Sequence, residues 1–476
     1  MTIRILLSLT CLSLAGCTLG PDYSAPLSDV GDEWFSSEDG EVKLDTQSSP
    51  NAWWKQLKDP TLNTLIEQAV EENKDIGVAA ANVTRAKALR RMNAAEFYPA
   101  IGVGADATKE GISQRGTSSQ FVGEKERNSF STSLDASWEI DLFGRIARST
   151  EAADADYEAA IEERRGVLLA TIAELVSNYY QVRGYQKRIA IAERNIELLR
   201  ETESVAESRF NAGAVSELDL ARAQGEREAV EATLPSLRAE MMAGIYRISV
   251  LTGQMPESHV ATLAATKPLP MPPDQVPVGL RSDLLKRRPD IRQAERMLAA
   301  SNAQIGVAEA NLFPQLSLTG SVGTDARYFS DLFTVDGLAY SIGSAINWSL
   351  FEGGALRADI ARAEAVNLAA LRSYEQTVLL ALEETEAALI RYGKEWQTLR
   401  RLLATLESRQ RAHNIAKLRY EAGEEDFIAI LDAERTLIGV RNDIIESETR
   451  ILVNLTQLYK ALGGGWRVWE QQETPS

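Results

Sequence analysis

Cysteine and histidine are almost missing from this 476-residue chain: there are two of each, Cys11, Cys17, His259 and His413. So sparse a set leaves little for a thiolate–imidazole metal cluster or a histidine-assisted nucleophile. The sequence points to no enzyme chemistry, no metal and no cofactor. Basic residues are also in the minority, 51 against 68 acidic, for a net charge of −17. That balance argues against nucleic acid, whose phosphates reward clustered Lys and Arg. Beyond residue 17 no segment reaches the ~18 apolar residues of a membrane-spanning helix. Proline is absent between Pro99 and Pro235, and again between Pro314 and Pro475. It crowds the join, at Pro256, Pro268, Pro270, Pro272, Pro273, Pro277 and Pro289. Because proline interrupts helices, the chain reads as two regular halves with an extended linker over residues 254–288.

The first residues are specific. Arg4 precedes an apolar stretch, Ile5 to Leu14, too short to span a bilayer but right for a signal peptide over residues 1–16. Leu14-Ala15-Gly16-Cys17 then sets small residues before a cysteine, the pattern of lipoprotein processing. Cys17 would carry diacylglycerol and an N-linked palmitate, followed by an extended segment to residue 60. The alternative is a conventional signal cleaved nearby, with Cys17 unmodified. Cys11 leaves with the signal, so no disulfide forms within the chain. Thr18 stands where an Asp commonly retains such lipoproteins in the inner membrane, which favours the outer membrane.

An internal repeat organises the rest. Arg209-Phe210-Asn211-Ala212-Gly213 returns as Arg419-Tyr420-Glu421-Ala422-Gly423, and Trp138 as Trp348, at a shift of 210 residues. Nearer the start of each half the shift is 215, as in Tyr98-Pro99 against Phe313-Pro314. Self-similarity at a fixed spacing means one unit built twice, here over 61–253 and 289–465, with a tail at 466–476.

Each half carries a coiled-coil seam. Leu168, Ile172, Leu175, Tyr179, Val182, Ile189 and Ile196 keep a period of 3.5 residues, with Gln186 and Glu193 interrupting. Val378, Leu382, Thr385, Leu389, Tyr392, Trp396, Leu399, Leu403 and Leu406 do the same. Helices from Gly144 to Phe210 and from Gly354 to Tyr420 would each be roughly 100 Å long. Gly213 and Gly423 can close them, and returning helices follow at roughly 216–252 and 426–462. Pro235 is expected to kink the first of these.

Four segments alternate with period two, near 97–108, 129–140, 314–323 and 339–350. In the second, Phe130, Leu134, Trp138 and Ile140 share one face with Thr132 and Ala136, while serines, Asp135 and Glu139 form the other. A strand with lipid on one side and a lumen on the other shows this alternation. Four strands cannot close a barrel, and open edges are forbidden in lipid, so the chain must borrow strands from copies of itself. Three copies supply twelve. Polar loops near 109–128 and 324–338 would face outside the cell.

In order along the chain, several motifs resemble the TolC/OprM-like outer-membrane factors, in their lipidated, NodT-type branch. They are Cys17-Thr18-Leu19-Gly20-Pro21-Asp22-Tyr23; Trp53-Trp54 with Asp59-Pro60 and Leu62; and Arg288-Pro289-Asp290-Ile291 with Ala294-Glu295 and Phe313-Pro314. Trp138-Glu139-Ile140-Asp141-Leu142-Phe143-Gly144 and Trp348-Ser349-Leu350-Phe351-Glu352-Gly353-Gly354 complete the set.

The resemblance implies an α+β membrane protein: a homotrimer with a 12-stranded transmembrane β-barrel continued by a 12-helix periplasmic coiled-coil barrel. It implies an outer-membrane location and a passive exit duct for small molecules. The partners implied are a periplasmic adaptor and an inner-membrane pump, proton-driven, that supplies the energy. By the same resemblance the helix tips at Arg209, Gly213, Arg419, Tyr420 and Gly423 meet the adaptor. The family's Leu-Asp-Ala-Gln-Arg stretch maps onto Leu431-Asp432-Ala433-Glu434-Arg435. Asp432 would then form a threefold acidic gate ring, with Arg435 beside it and Ile428 an apolar ring one turn below. Ala429 stands where TolC-like members carry a second gate carboxylate, so the acidic ring is single. Glu424-Glu425-Asp426 makes this tip unusually acidic. Two other functions remain open: a duct for type I protein secretion, and a structural coiled-coil envelope lipoprotein.

Overall fold

A computed structural model describes residues 18–26, 30–35, 43–45, 51–111, 126–273 and 275–472. The signal segment, Cys17 and the centre of the first polar loop, 112–125, lie outside them. Strand β1 (Lys43–Asp45) precedes helices α1 (Pro60–Glu72) and α2 (Lys74–Ala95), strands β2 (Ala100–Gly111) and β3 (Glu126–Ile140), and the 67-residue helix α3 (Arg145–Asn211). Helices α4 (Glu217–Glu231) and α5 (Leu234–Leu251) return. The join holds α6 (Val260–Leu263), β4 (Gln275–Pro277) and α7 (Leu284–Arg287). The second half contributes α8 (Pro289–Ala310), β5 (Gln315–Ala326), β6 (Leu338–Asn347), the 67-residue α9 (Ala355–Glu421) and the 35-residue α10 (Phe427–Ala461). The fold is thus mostly helical with one four-stranded sheet, and it divides into two compact units.

The first unit comprises residues 1–26, 82–160 and 293–374 and contains that sheet, antiparallel in the order β2-β3-β5-β6. Alternation along each strand becomes rows across the sheet. Val103 pairs with Leu134, Leu134 with Val322, and Val322 with Tyr340. On the opposite face Asp135, Ser321 and Ser341 form a polar row. Within the chain the apolar rows are bare: Val103 is 83% and Ile342 89% exposed. The outer edges of β2 and β6 pair with nothing among the described residues. At the base of the sheet the Trp138 indole donates to the Phe97 carbonyl and the Trp348 indole to the Leu312 carbonyl, each at 2.9 Å. Strand β6 stops at Asn347, short of the expected 350. Its partner β5 begins at Gln315, and Pro314 just before it has no N–H to extend the ladder.

The second unit comprises 27–81, 161–292 and 375–476. Every seam position named in the first half, Leu168 through Ile196, is buried, whereas Leu403 of the second seam is exposed. Gln186, expected to interrupt, is buried and satisfied: Arg183 donates to its Oε1 at 2.8 Å, and its amide donates to the Leu263 carbonyl. The Trp53-Trp54 motif closes the end of the core, Trp53 stacking on Tyr459 and Trp54 on Trp469. Asp59 caps α1 through the amides of Thr61 and Leu62, and Pro60 occupies a first-turn position where no N–H is needed. Nor is the join unstructured: β4 pairs in parallel with β1.

Pro235 breaks the returning helix instead of kinking it. Helix α4 ends at Glu231, and Pro235 sits in the first turn of α5, the one helical site that tolerates its missing N–H. With no proline, α10 runs unbroken. Arg288 ties the join to the end of α10: it donates to the Ala461 carbonyl at 2.7 Å and bridges Asp290 and Glu384. Its guanidinium is held by these partners against the cost of burial. Arg288→Ala removes the shorter partner of the Ala461 carbonyl, which keeps the Thr385 hydroxyl at 3.2 Å, and takes a cation from Asp290 and from Glu384, which keeps Lys460 at 3.5 Å. Because both carboxylates are partly exposed, a loss of about 1–2 kcal/mol is expected, read as a lower melting temperature in circular dichroism.

Candidate functional site

The helix ends at 209–217 and 419–427 are built alike. Gly213 and Gly423 adopt left-handed φ values of 72° and 76°, conformations without steric cost only for glycine. That turn lets the Ala214 amide donate to the Arg209 carbonyl and the Glu424 amide to the Arg419 carbonyl, each at 2.9 Å, closing both long helices. Ser216 and Asp219 then cap α4 reciprocally. Arg209 and Arg419 lie in the last turns of α3 and α9, where a cation suits the helix dipole. Arg419 also bridges Glu425 at 3.1 Å, so the acidic tip is partly compensated by its own helix end.

The two tips are joined. The Arg209 guanidinium lies over the Tyr420 ring, 4.4 Å from its centre. Tyr420 itself is only 6% exposed, packed with Ala206, Ala223, Phe427, Ile430 and Leu431. Of the five tip residues expected at a partner surface, Tyr420 therefore presents no open ring; it holds the hairpins together. Gly213, Gly423 and Arg419 are exposed.

Along α10 two faces separate. Phe427, Ile430, Leu431, Glu434 and Leu437 are buried, while Ile428, Asp432 and Arg435 share an exposed face. Arg435 donates to Asp432 at 3.1 Å, one helical turn apart. Both side chains are well exposed, so this pair contributes at most about 1 kcal/mol in the single chain. The three gate candidates thus lie on one face that nothing among the described residues covers.

At the N-terminus, Thr18 to Tyr23 are strapped to the first unit beside the end of β3. The Leu19 amide donates to the Phe143 carbonyl, Arg148 reaches the Leu19 and Gly20 carbonyls and Asp22, and Tyr23 donates to Glu295.

The sequence profile of the outer membrane efflux protein family matches residues 65–254 and 280–464. The chain belongs to this family. Among similar proteins, Nodulation protein T of Rhizobium leguminosarum bv. trifolii is 32% identical over 464 residues, 96% of each chain. The solvent efflux pump outer membrane protein SrpC of Pseudomonas putida is 31% identical over 466 residues, 96% of this chain and 97% of its own. The solved structure of the outer-membrane channel OprN is 38% identical, with a TM-score of 0.89, and covers 95% of this chain and all of its own.

One feature escaped the sequence reading: Glu434, between Asp432 and Arg435 in sequence, is 7% exposed. Burial raises its pKa, and Glu226 across from it adds to the rise, against the opposing pull of Lys417 and Arg441. His413 nearby is pushed down, chiefly by burial. In an isolated helix Glu434 reads as a solvated carboxylate; only its cross-helix neighbours bury it. A carboxyl whose folded pKa lies above its unfolded value is best accommodated when protonated. Its contribution is therefore most favourable below the unfolded pKa, and declines as pH rises through the folded value. As pH rises above the ordinary carboxylate range, Glu434→Gln should flatten part of the fall in melting temperature on alkalinisation. An unchanged slope would remove Glu434 from this role.

Proposed function

We propose that this chain is the outer-membrane duct of a tripartite efflux system, a passive exit for small molecules driven by an inner-membrane pump through a periplasmic adaptor. The observation that carries the reading is the bare sheet. Among the described residues its apolar rows are largely open, with Phe329 against Phe130 at one end, and its two edges carry unpaired peptide groups. Lipid can cover the rows, and strands from sister chains can close the edges. Family membership supports the same reading: relatives similar along their whole length include a solvent and a toluene efflux pump outer membrane protein. Nothing comparable favours a spacer lipoprotein or a secretion duct.

In this account three copies assemble a 12-stranded barrel and a 12-helix periplasmic barrel from two repeats per chain. The matching indole bonds of Trp138 and Trp348 and the matching closures at Gly213 and Gly423 support the repeat. Cys17 carries the lipid anchor. Its successors Thr18 and Leu19 are held next to Phe143, just past the end of β3, where a membrane strand would leave the bilayer. The tips at Arg209, Gly213, Arg419 and Gly423 offer backbone and charge to the adaptor, with Tyr420 bracing them from within. On the threefold axis the exposed face of α10 brings three Asp432 carboxylates together, above three Ile428 side chains. Like charges at that distance repel, so closure depends on shielding by Arg435 or by cations.

Replacing Asp432 and Arg435 together by alanine should raise single-channel conductance in planar bilayers; unchanged conductance would take both out of the gate. Cells expressing the wild-type chain should incorporate radioactive palmitate, and the Cys17→Ser chain should not. Equal labelling of the two would sink the anchor.

A further inference from the structure

Within the second unit, behind the exposed face of α10, a cavity of about 360 Å³ opens between α3, α9 and α10. Its size falls in the range of small-ligand sites, roughly 300–1,000 Å³. The walls are mixed. Leu198, Val205, Ile430 and Ile438 supply apolar surface, and polar groups converge between them. Several of those groups are buried without a partner: Asn195 Nδ2, Tyr420 Oη and His413 Nδ1. Asn195 is 1% exposed. Buried polar atoms are ordinarily satisfied, so three orphans around one cavity call for an occupant that hydrogen-bonds to them.

The most buried ionisable side chain at the cavity is Glu434, which makes no ion pair with any described residue. Glu226 adds to the negative charge around it, while Lys417 and Arg441, also on the cavity wall, act in the opposite sense. An ammonium group carries three donors and a positive charge. Glu434, the Tyr420 hydroxyl and a ring nitrogen of His413 are acceptors on the α9 and α10 walls. Asn195, on the α3 wall, offers a donor.

We propose that this cavity binds a small amphipathic amine, its ammonium seated on Glu434, its apolar body against Leu198, Val205 and Ile438, and a hydrogen-bond acceptor at its far end facing Asn195. Glu434 lies between Asp432 and Arg435 in sequence, so an occupant would brace α10 directly behind the exposed face. An effect on conductance rests on the gate reading above; binding itself does not.

Tyramine has the required parts, an ammonium, a ring and a phenolic oxygen, and 4-hydroxyphenylacetate replaces the ammonium by a carboxylate. Full-length protein in lipid nanodiscs, titrated calorimetrically, should bind tyramine saturably with one site per chain. The carboxylate analogue should bind at least about tenfold more weakly, and Glu434→Gln should lower tyramine affinity by about tenfold, the scale of one charge-assisted hydrogen bond. Ile438→Trp, which fills the cavity and leaves Glu434 in place, should abolish binding while thermal melting stays cooperative. Absence of saturable tyramine binding to the wild type would overturn the proposal. So would equal binding of the anion, or full affinity in both variants. Conductance recorded on the same protein separates failure of this site from failure of the gate.

Discussion

Hydrocarbon offers a peptide group no hydrogen bond, and that constraint governs the four-stranded sheet. Its inner strands are paired throughout, yet β2 and β6 each turn an unpaired edge outward. In water such edges are tolerable. In a bilayer each orphaned N–H and C=O costs several kcal/mol, and the apolar rows through Val103, Leu134, Val322 and Tyr340 leave lipid as the natural solvent for that face. Sheet and surroundings are compatible only if more strands arrive from elsewhere, and no further long strand is available among the described residues.

The helical unit answers a different requirement. A 67-residue helix has little intrinsic reason to persist in isolation, and most of its stability comes from packing. The buried seam from Leu168 to Ile196 supplies that along α3. Polar positions inside the seam are matched one by one, Gln186 with Arg183 and the Leu263 carbonyl. At the hairpin tips the core narrows to the cluster around Tyr420. There the sequence places charge: Arg209 over the ring, Arg419 against Glu425, Asp432 against Arg435. A region with a small apolar core and many exposed ion pairs is where local rearrangement costs least, which suits the opening proposed for these tips.

How much of this was legible in the sequence follows the range of the interaction. Periods of 3.5 and 2 are local, so the long helices and the four strands could be read directly, as could the closures at Gly213 and Gly423. Pro235 was recognised as a disturbance, but whether proline kinks or breaks depends on whether a new first turn can form around it. The β1–β4 pair escaped because three-residue strands carry no period. The burial of Tyr420 and Glu434 escaped the sequence reading for one shared reason: part of what covers them, Ala206 and Ala223 for the one and Glu226 for the other, lies about 200 residues away in sequence, and a helical wheel cannot show it. The proposed gate is the opposite case. Asp432, Arg435 and Ile428 are legible as a face, yet what the proposal sets opposite them lies outside a single chain.

The central claim, that open strand edges are closed by sister chains, is tested most directly by the mass of the intact particle. Native mass spectrometry of the protein released from mild detergent should give three chains per particle. A folded single chain, with its sheet intact in that detergent, would contradict the account.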